Sequence, residues 1–170
     1  MIVEIRPFKK SDVPLKVQWI NNPKNNKYLH YDLPLIESKT YEWFEKLSER
    51  KDRIDLTITY DGLPVGLIGL LNMKNGTAEY YICLGETAYK GRGIARIATK
   101  LLLEKSYLEY GLKDIYLFTE VENISAQNLF EKIGFCRDEK IDEKLFYNEK
   151  YIARYYYKLN LKTYLVEGNE

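Results

Sequence analysis

Two Asx-Gly dipeptides constrain the middle of this chain more than any other feature of the sequence. Asp61-Gly62 and Asn75-Gly76 separate three runs rich in β-branched and aliphatic residues, which span Asp55 to Tyr60, Leu63 to Asn72 and Ala78 to Leu84. Both dipeptides suit a two-residue hairpin turn, because glycine and short polar side chains tolerate the positive φ angles that this turn requires. The pattern therefore predicts a three-stranded antiparallel meander.

The segments around the meander alternate between strand and helix patterns. Apolar residues recur at helical spacing from Ile94 to Leu108, and Gly111 is well placed to end that helix. The other predicted elements are, in chain order, a strand at Ile2 to Pro7, helices after Ser11 and Ser38 joined by a loop at Asn21 to Leu35, a strand at Asp114 to Glu120, a helix through Ala126 and Ile133 that ends at Gly134, and strands at Phe135 to Arg137, Leu145 to Tyr147 and Tyr151 to Leu159. This order predicts a mixed α/β sheet with helices on its faces.

The length and charge of the chain limit its organisation and its partners. A length of 170 residues fits one domain, which we predict to span residues 1–170. The 26 Lys and Arg residues are balanced by 25 Asp and Glu residues, so the net charge of +1 lacks the positive excess that drives binding to nucleic acid or to anionic membranes. We therefore expect neither a nucleic-acid partner nor a membrane partner.

Cysteine and histidine are scarce. Cys83 and Cys136 lie far apart with no paired spacing, and no segment resembles a signal peptide, which together favour a reducing cytoplasm. His30 is the only histidine, which leaves little for a histidine-based zinc site or a Ser-His-Asp triad. We expect a cytoplasmic protein without a metal site.

A turn with two glycines lies between the last strand of the meander and the long helix. Its sequence is Tyr89-Lys90-Gly91-Arg92-Gly93-Ile94-Ala95, and Arg96 follows it. The glycines permit a tight turn in which successive backbone N–H groups converge, and the positive end of the helix dipole adds to their attraction for phosphate oxygens. The turn indicates an anion site, although a glycine pair at such a position is often purely structural.

Three segments together resemble the GNAT superfamily of N-acetyltransferases. Lys90-x-x-Gly93-x-Ala95 is similar to the Q/R-x-x-G-x-G/A signature of that family, with lysine at the position that Gln or Arg usually holds. The strand Ala78 to Leu84 resembles its fourth strand, and residues 123–135 resemble its N-x-x-A-x-x-L-Y-E-K-x-G-F segment. The three segments occur in the family's order.

The resemblance implies a mostly antiparallel sheet of about seven strands, flanked by about four helices and splayed between its fourth and fifth strands. The implied cosubstrate is acetyl-coenzyme A (acetyl-CoA), whose pantetheine arm enters the splay. The implied cosubstrate residues are Ile82, Cys83 and Leu84 for the pantetheine, Lys90, Gly91, Arg92, Gly93, Ile94 and Ala95 for the pyrophosphate, and Asn123 and Asn128 near the pantetheine or adenosine. Asn123 could equally be a helix cap.

The reaction that the resemblance implies is direct acetyl transfer to a primary amine. An alkyl amine with a pKa of about 10 is protonated at neutral pH and must lose a proton before it attacks. Glu79 is the candidate general base, acting directly or through a water, because it alternates with Tyr81 and Cys83 on one strand face and resembles in position a glutamate that some family members use. The alternative is a solvated glutamate at the strand edge.

The general acid and the role of the cysteine are less defined. Many family members have a tyrosine where this chain has Phe130, and phenylalanine has no proton to give to the departing thiolate. The acid is therefore unassigned, with Tyr147, Tyr156 or water as candidates.

Cys83 could suggest an acyl-cysteine, but a cysteine in an apolar strand is more often part of the packing, and no histidine lies near it in sequence.

The acceptor is the least constrained part of the prediction. Trp19 to Pro23, Trp43-Phe44 and Tyr147 to Ile152 resemble the branch with ribosomal-protein N-terminal, polyamine and nucleotide-linked amino-sugar acetyltransferases. The loop at Asn21 to Leu35 is rich in Asn, Tyr and Lys, which favours a small polar amine such as a nucleotide-linked amino sugar. The alternatives are a polyamine, a protein or peptide N-terminus, and a CoA-binding regulatory domain without turnover. Long aromatic strands at the C-terminus are compatible with a homodimer.

Overall fold

The computed structural model describes residues 1–140 and 143–167, and within these ranges the chain forms eight β-strands and six α-helices. The strands are β1 (Val3–Pro7), β2 (Ile54–Tyr60), β3 (Leu63–Lys74), β4 (Thr77–Leu84), β5 (Asp114–Glu120), β6 (Cys136–Arg137), β7 (Glu143–Tyr147) and β8 (Lys150–Asn160). The helices are α1 (Val13–Asn21), α2 (Pro23–Asn26), α3 (Glu37–Leu47), α4 (Ile94–Leu108), α5 (Ile124–Ile133) and α6 (Leu161–Glu167). The mixed α/β architecture is confirmed.

All eight strands belong to one sheet. Its order is β1-β2-β3-β4-β5-β8-β6, and β7 pairs with β8. The pairing between β4 and β5 is parallel, whereas the other pairings are antiparallel. A mostly antiparallel sheet was expected, and its single parallel step follows from the connection through the long helix α4.

The predicted meander is present, and both Asx-Gly turns adopt the expected backbone conformation. The φ angles are 48° and 84° at Asp61 and Gly62, and 53° and 77° at Asn75 and Gly76. Two successive positive φ angles are typical of the hairpin turn whose twist matches that of the flanking strands. These local signals therefore fix the antiparallel order of β2, β3 and β4.

Helices cover both faces of the sheet and enclose two apolar clusters. The larger cluster joins α4 and α5 to one face, where Leu102, Ile68 and Leu117 are buried. The smaller cluster joins α1 and α3 to the other face and includes Trp19 and Leu67. Strand β4 therefore alternates, with its even-numbered side chains towards α4 and its odd-numbered ones towards α1.

Several helix boundaries differ from the predictions. Ser11 lies within a 3-10 turn before α1, and the residue at the N-cap of α1 is Asp12, so Ser11 is not the cap. Helix α3 begins at Glu37, one residue before the predicted cap Ser38, with no side-chain cap.

Two short helices were not predicted. Helix α2 has four residues and lies inside the predicted loop. Helix α6 is held by the buried Leu161, which is a tertiary contact that local periodicity does not reveal. None of the helices in the described ranges is long and apolar enough to span a membrane.

Candidate active site

A cleft opens where the two parallel strands of the sheet part. Strands β4 and β5 form three pairs, the last of which joins Glu79 to Tyr116, and then they separate. Strand β4 remains paired with β3 as far as Leu84, and β5 remains paired with β8 as far as Glu120. Both strands are therefore held from outside, and the gap between them is a cleft of about 600 Å³. The predicted splay between the fourth and fifth strands is present.

The glycine turn closes one end of this cleft. Gly91 and Gly93 have φ angles of 78° and 79°, and Gly93 is the N-cap of the 15-residue helix α4. A Cβ at either position would meet no atom within 4 Å, so neighbouring side chains do not require glycine there. The positive φ angles do favour glycine at both positions. The space beside the two glycines is open and lies before the helix N-terminus, where an anion is stabilised.

The structure places most, but not all, of the predicted turn residues in the lining of the cleft. Lys90, Gly91, Gly93, Ile94 and Ala95 line it. Arg92 does not line the cleft, and its guanidinium lies 5.1 Å from the centre of the Tyr89 ring.

The charged side chains near the turn differ in their freedom to bind phosphate. The Lys90 ammonium donates to Asn25 Oδ1 at 2.7 Å, which ties the turn to α2. Arg96 lines the cleft from the first turn of α4, and no ion pair holds it within the described ranges. Arg96 is therefore a freer cation at this end of the cleft than Lys90.

Helix α5 forms the opposite wall. Asn123 lines the cleft and also caps this helix, since its Oδ1 accepts the Ala126 amide N–H at 3.3 Å. Asn128 is exposed and does not line the cleft, so its predicted contact with the cosubstrate has no support from this geometry. Phe130 is buried against Tyr80, with ring centres 5.6 Å apart. The remaining predicted residues, Ile82, Cys83 and Leu84, line the cleft from β4.

Glu79 lies where β4 and β5 part. It lines both the cleft and a second cavity of about 870 Å³ on the α1 side of the sheet. Burial raises the pKa of the Glu79 carboxyl above its ordinary value, Arg154 opposes that rise, and Glu143 adds to it. A carboxyl with a raised pKa at the junction of two cavities is suited to accept a proton near neutral pH.

Strand β8 and the loop before α3 add ionisable groups that sequence reasoning missed. Arg154 lines both cavities, donates to Glu143 Oε1 at 2.8 Å and lies 4.4 Å from the centre of the Phe118 ring. His30 also lines both cavities, and its Nε2 lies 3.6 Å from Glu120 Oε2. Burial first, and then Arg154, lowers the pKa of His30, which keeps the imidazole neutral at neutral pH.

The candidate tyrosines do not supply an evident acid. The Tyr147 hydroxyl donates to the Tyr31 carbonyl oxygen at 2.6 Å, and Tyr156 stacks on Tyr116 away from both cavities. Two tyrosines of β4 are closer, but the Tyr81 hydroxyl donates to Asp55 and the Tyr80 hydroxyl is bonded to the Thr99 hydroxyl. The general acid therefore stays unassigned.

The second cavity shares one wall with the cleft. Cys83, Tyr81 and Glu79, which alternate along β4, line both spaces. Residues 28–36 cover the second cavity, and α1 and α3 contribute Lys16 and Trp43. Two adjoining cavities that meet at one strand can hold two substrates with their reactive atoms close together.

A family comparison decides what this arrangement is. The profile described as "Acetyltransferase (GNAT) domain" matches residues 3–136. The chain belongs to the GNAT acetyltransferase family. It is an acetyl-CoA-dependent N-acetyltransferase, as the three sequence segments indicated.

Similar proteins include several acetyltransferases. The spermidine N(1)-acetyltransferase of Escherichia coli K12 is 27% identical over 158 residues, which cover 88% of this chain and 81% of that protein. A putative ribosomal N-acetyltransferase of Bacillus subtilis is 29% identical over 110 residues, 62% of this chain and 58% of that protein. The crystal structure of spermidine N-acetyltransferase from Vibrio cholerae in complex with CoA and spermine has a TM-score of 0.87 at 22% identity and covers 96% of this chain and 98% of that one.

The residues of this GNAT acetyltransferase fit its cosubstrate, acetyl-CoA. Gly91 and Gly93 leave open space at the positive end of α4, and Arg96 and Lys90 add positive charge beside it. A diphosphate is stabilised by such converging N–H groups. Beyond Glu79 the edge of β4 that faces the cleft is not paired with β5, which leaves its backbone groups on that side available to the amide groups of a pantetheine arm.

Proposed function

We propose that the chain is a single acyl-CoA N-acyltransferase domain that transfers an acetyl group directly from acetyl-CoA to a primary amine in the second cavity. The observation that carries this proposal is the position of Glu79, which lines both cavities at the point where the strands part. A donor in the cleft and an acceptor in the second cavity would meet beside this carboxylate. The remaining predicted contacts of the cosubstrate with residues of β4, the glycine turn and α5 belong to the same proposal.

Glu79 is the proposed general base. Acetyl-CoA supplies the acetyl group as an activated thioester. The acceptor reaches the site as an ammonium ion, because the pKa of an alkyl amine is about 10. Glu79 accepts this proton, directly or through a water, and a raised pKa makes it a stronger base than an ordinary carboxylate. The free amine nitrogen then bonds to the carbonyl carbon, the carbon–sulfur bond breaks, the nitrogen releases its second proton to solvent as the amide forms, and the thiolate takes one proton from solvent.

Direct transfer predicts that Cys83 is dispensable. Burial raises the pKa of the Cys83 thiol to about 11, which leaves very little thiolate at neutral pH. We expect Cys83→Ala to change kcat by less than about tenfold, because no covalent step is lost. Steady-state kinetics with a thiol-trapping reagent measure this, and mass spectrometry of the wild-type protein with acetyl-CoA alone should show no acetylated Cys83. An acetyl-cysteine that forms and disappears on addition of amine would support the covalent alternative.

Two acceptor classes each have an observation in their favour. The relatives described as spermidine N-acetyltransferases favour a polyamine over the nucleotide-linked amino sugar that the sequence analysis preferred. The second cavity also favours an amine that carries an acidic group, since the buried Lys16 that lines it has no ion pair within the described residues, whereas Arg53 and Arg154 pair with Asp55 and Glu143. Both classes are small polar primary amines.

Turnover is tested by thiol release from acetyl-CoA across polyamines, peptide N-termini and amino sugars with and without phosphate. We expect saturable transfer to at least one small amine. Calorimetry on the same protein distinguishes an enzyme from a regulatory domain. A regulatory domain would bind acetyl-CoA, but no amine in the panel would release thiol. The absence of any acetyl-CoA binding would contradict both readings.

Self-association is a further part of the proposal. A Vibrio cholerae spermidine N-acetyltransferase with a TM-score of 0.82 has a dodecameric structure. In this chain the hairpin of β7 and β8 exposes 61% of Phe146 and 75% of Tyr151, whose rings lie 5.1 Å apart. We expect light scattering to give a mass above that of one chain, and Phe146→Ser to lower it. A wild-type monomer at all concentrations would contradict this.

A cytoplasmic location stays a prediction.

A further inference from the structure

One buried cation in the second cavity has no acidic partner. Lys16, on α1, is 7% exposed, and its ammonium lies 3.5 Å from the centre of the Trp43 ring and 5.9 Å from that of Phe8. Within residues 1–140 and 143–167, no oxygen accepts a hydrogen bond from it and no carboxylate pairs with it. An aromatic face attracts an ammonium ion but does not neutralise its charge.

Asp55 is the carboxylate whose charge favours the charged form of Lys16, and it is already occupied. Asp55 accepts two hydrogen bonds of 2.7 Å from Arg53 and one of 2.6 Å from the Tyr81 hydroxyl. Arg53 is thereby neutralised, but Lys16 is not, so the group of Lys16, Arg53 and Asp55 carries one excess positive charge. The Arg53 guanidinium lies 5.3 Å from the centre of the same Trp43 ring. Two cations therefore converge on one aromatic side chain at the base of the cavity.

A hydroxyl group beside these cations also lacks a partner. Tyr31 lines the second cavity, and the described residues offer its hydroxyl no hydrogen bond. Burial, followed by interactions with Cys83 and with the Asp55 carboxylate and opposed by the charge of Arg53, raises the pKa of Tyr31 to about 12, so the hydroxyl keeps its proton. We call this group the basic floor, and it consists of Lys16, Arg53 and Tyr31. It offers N–H and O–H hydrogen-bond donors and contains no negatively charged side chain.

Of the other charges that line the cavity in the described residues, only Glu79 is left to offset this excess. Arg154 is paired with Glu143, and Asp32 and Lys39 are exposed residues of opposite sign at the rim. Glu79 lies at the junction with the cleft, where the amine is to be deprotonated. A polyamine would bring further positive charges to a floor that already has one unpaired cation, and like charges repel strongly in a buried site.

We propose that the basic floor binds an anionic group, a phosphate or a carboxylate, carried by the same acceptor whose amine reaches Glu79. This inference rests on the proposed N-acetyltransferase function. An amino sugar phosphate, a nucleotide-linked amino sugar and an amino acid all have the required pair of groups, and a cavity of about 870 Å³ is large enough for a small molecule of this kind. The relatives therefore indicate the chemistry at the amine, and the basic floor indicates what the rest of the acceptor carries.

The first test measures anion binding without turnover. Inorganic pyrophosphate and malonate, as phosphate and carboxylate probes, are titrated calorimetrically into protein saturated with CoA, so that the cleft is filled. We expect at least one probe to bind, and Lys16→Met to raise its Kd at least tenfold. Lys46→Met is the matched control, because it removes the same charge from the exposed side of α3 away from the cavity and should leave Kd unchanged. No binding of either probe, or equal binding by both variants, overturns the inference.

The second test compares acceptors that differ only in the anionic group. Glucosamine is paired with glucosamine 6-phosphate, ethanolamine with glycine, and spermidine and a nucleotide-linked amino sugar complete the set. We expect an anionic member to have the higher kcat/KM, and Lys16→Met to remove that advantage through KM with little change in kcat. A preference for spermidine overturns the inference and leaves the proposed function intact. Transfer to no amine overturns the proposed function, and the binding test then decides separately whether the anion site exists.

The thermal stability of Lys16→Met tests whether Lys16 has only a structural role. Burial lowers the pKa of Lys16 to about 8, so its charge is destabilising in the free protein. We expect Lys16→Met to raise Tm by about 2–4 °C while it weakens anion binding. A lower Tm together with weaker binding would assign Lys16 to packing against Trp43 and overturn its role in recognition.

Discussion

Replacement of Glu79 by Gln is expected to lower kcat for acetyl transfer about 100-fold at pH 7, which is the lower end of what a positioned general base contributes. Glutamine keeps the size of the side chain and its place between the two cavities, but it cannot accept a proton from the ammonium group of the acceptor. The loss should therefore appear in kcat, with acetyl-CoA affinity nearly unchanged. Thiol release under saturating substrates, with calorimetry for acetyl-CoA, measures both quantities.

The pH dependence gives a second signature of the same role. Burial raises the pKa of Glu79, so the base becomes protonated and inactive as the pH falls through that raised value. The wild-type kcat should therefore decrease at a higher pH than an ordinary carboxylate would allow. The decrease that is due to protonation of Glu79 should be absent in Glu79→Gln. The variant should instead regain activity as the pH rises towards the pKa of the amine, because the fraction of free amine then increases without a base.

Glu120→Gln is the matched control for this experiment. Glu120 also lines the cleft, and burial followed by the charge of Glu122 raises the pKa of its carboxyl. It lies beside His30, so this pair is the rival route for the proton. We expect the control to retain most of the wild-type kcat. A larger loss in Glu120→Gln than in Glu79→Gln would transfer the role of base to the His30–Glu120 pair.

The parts of the fold that the sequence predicted depend on neighbouring residues along the chain. Asp61-Gly62 and Asn75-Gly76 define their turns through backbone conformation alone, so the meander of β2 to β4 follows without knowledge of the core. The glycine turn is similar, because the positive φ angle of Gly93 and the start of α4 are both local. Alternation of side chains along a strand placed Glu79 with Tyr81 and Cys83, and the family resemblance suggested its role, which stays a proposal.

The parts that could not be predicted arise from contacts between distant segments. Lys16 is separated from Arg53 and from Trp43 in sequence, and a single lysine in an amphipathic helix gives no sign that it will be buried. Arg154 reaches the cavities only because β8 pairs with β5. The contact of Asn128 was transferred from a motif and stays a prediction, because motif spacing does not determine which face of α5 meets the cleft.

The cosubstrate site can be tested through the backbone, with Gly93→Ala as the variant. Alanine at a positive φ costs about 1–2 kcal/mol, and its Cβ would project into the open space before α4. Since a hydrogen bond to a charged group contributes about 1.5–3 kcal/mol, loss of one amide contact with the diphosphate should raise the Kd for CoA about 10- to 100-fold. Isothermal titration with CoA measures this change.

Gly62→Ala separates strain from ligand contact in that experiment. Gly62 has a φ of 84°, and a Cβ there would likewise meet no atom within 4 Å, but this residue lies in the turn between β2 and β3 and lines neither cavity. Both variants should lose similar stability, because both place alanine in the left-handed region. Only Gly93→Ala should lose CoA affinity. Similar affinities in the two variants would show that the turn before α4 is structural and that the diphosphate binds elsewhere.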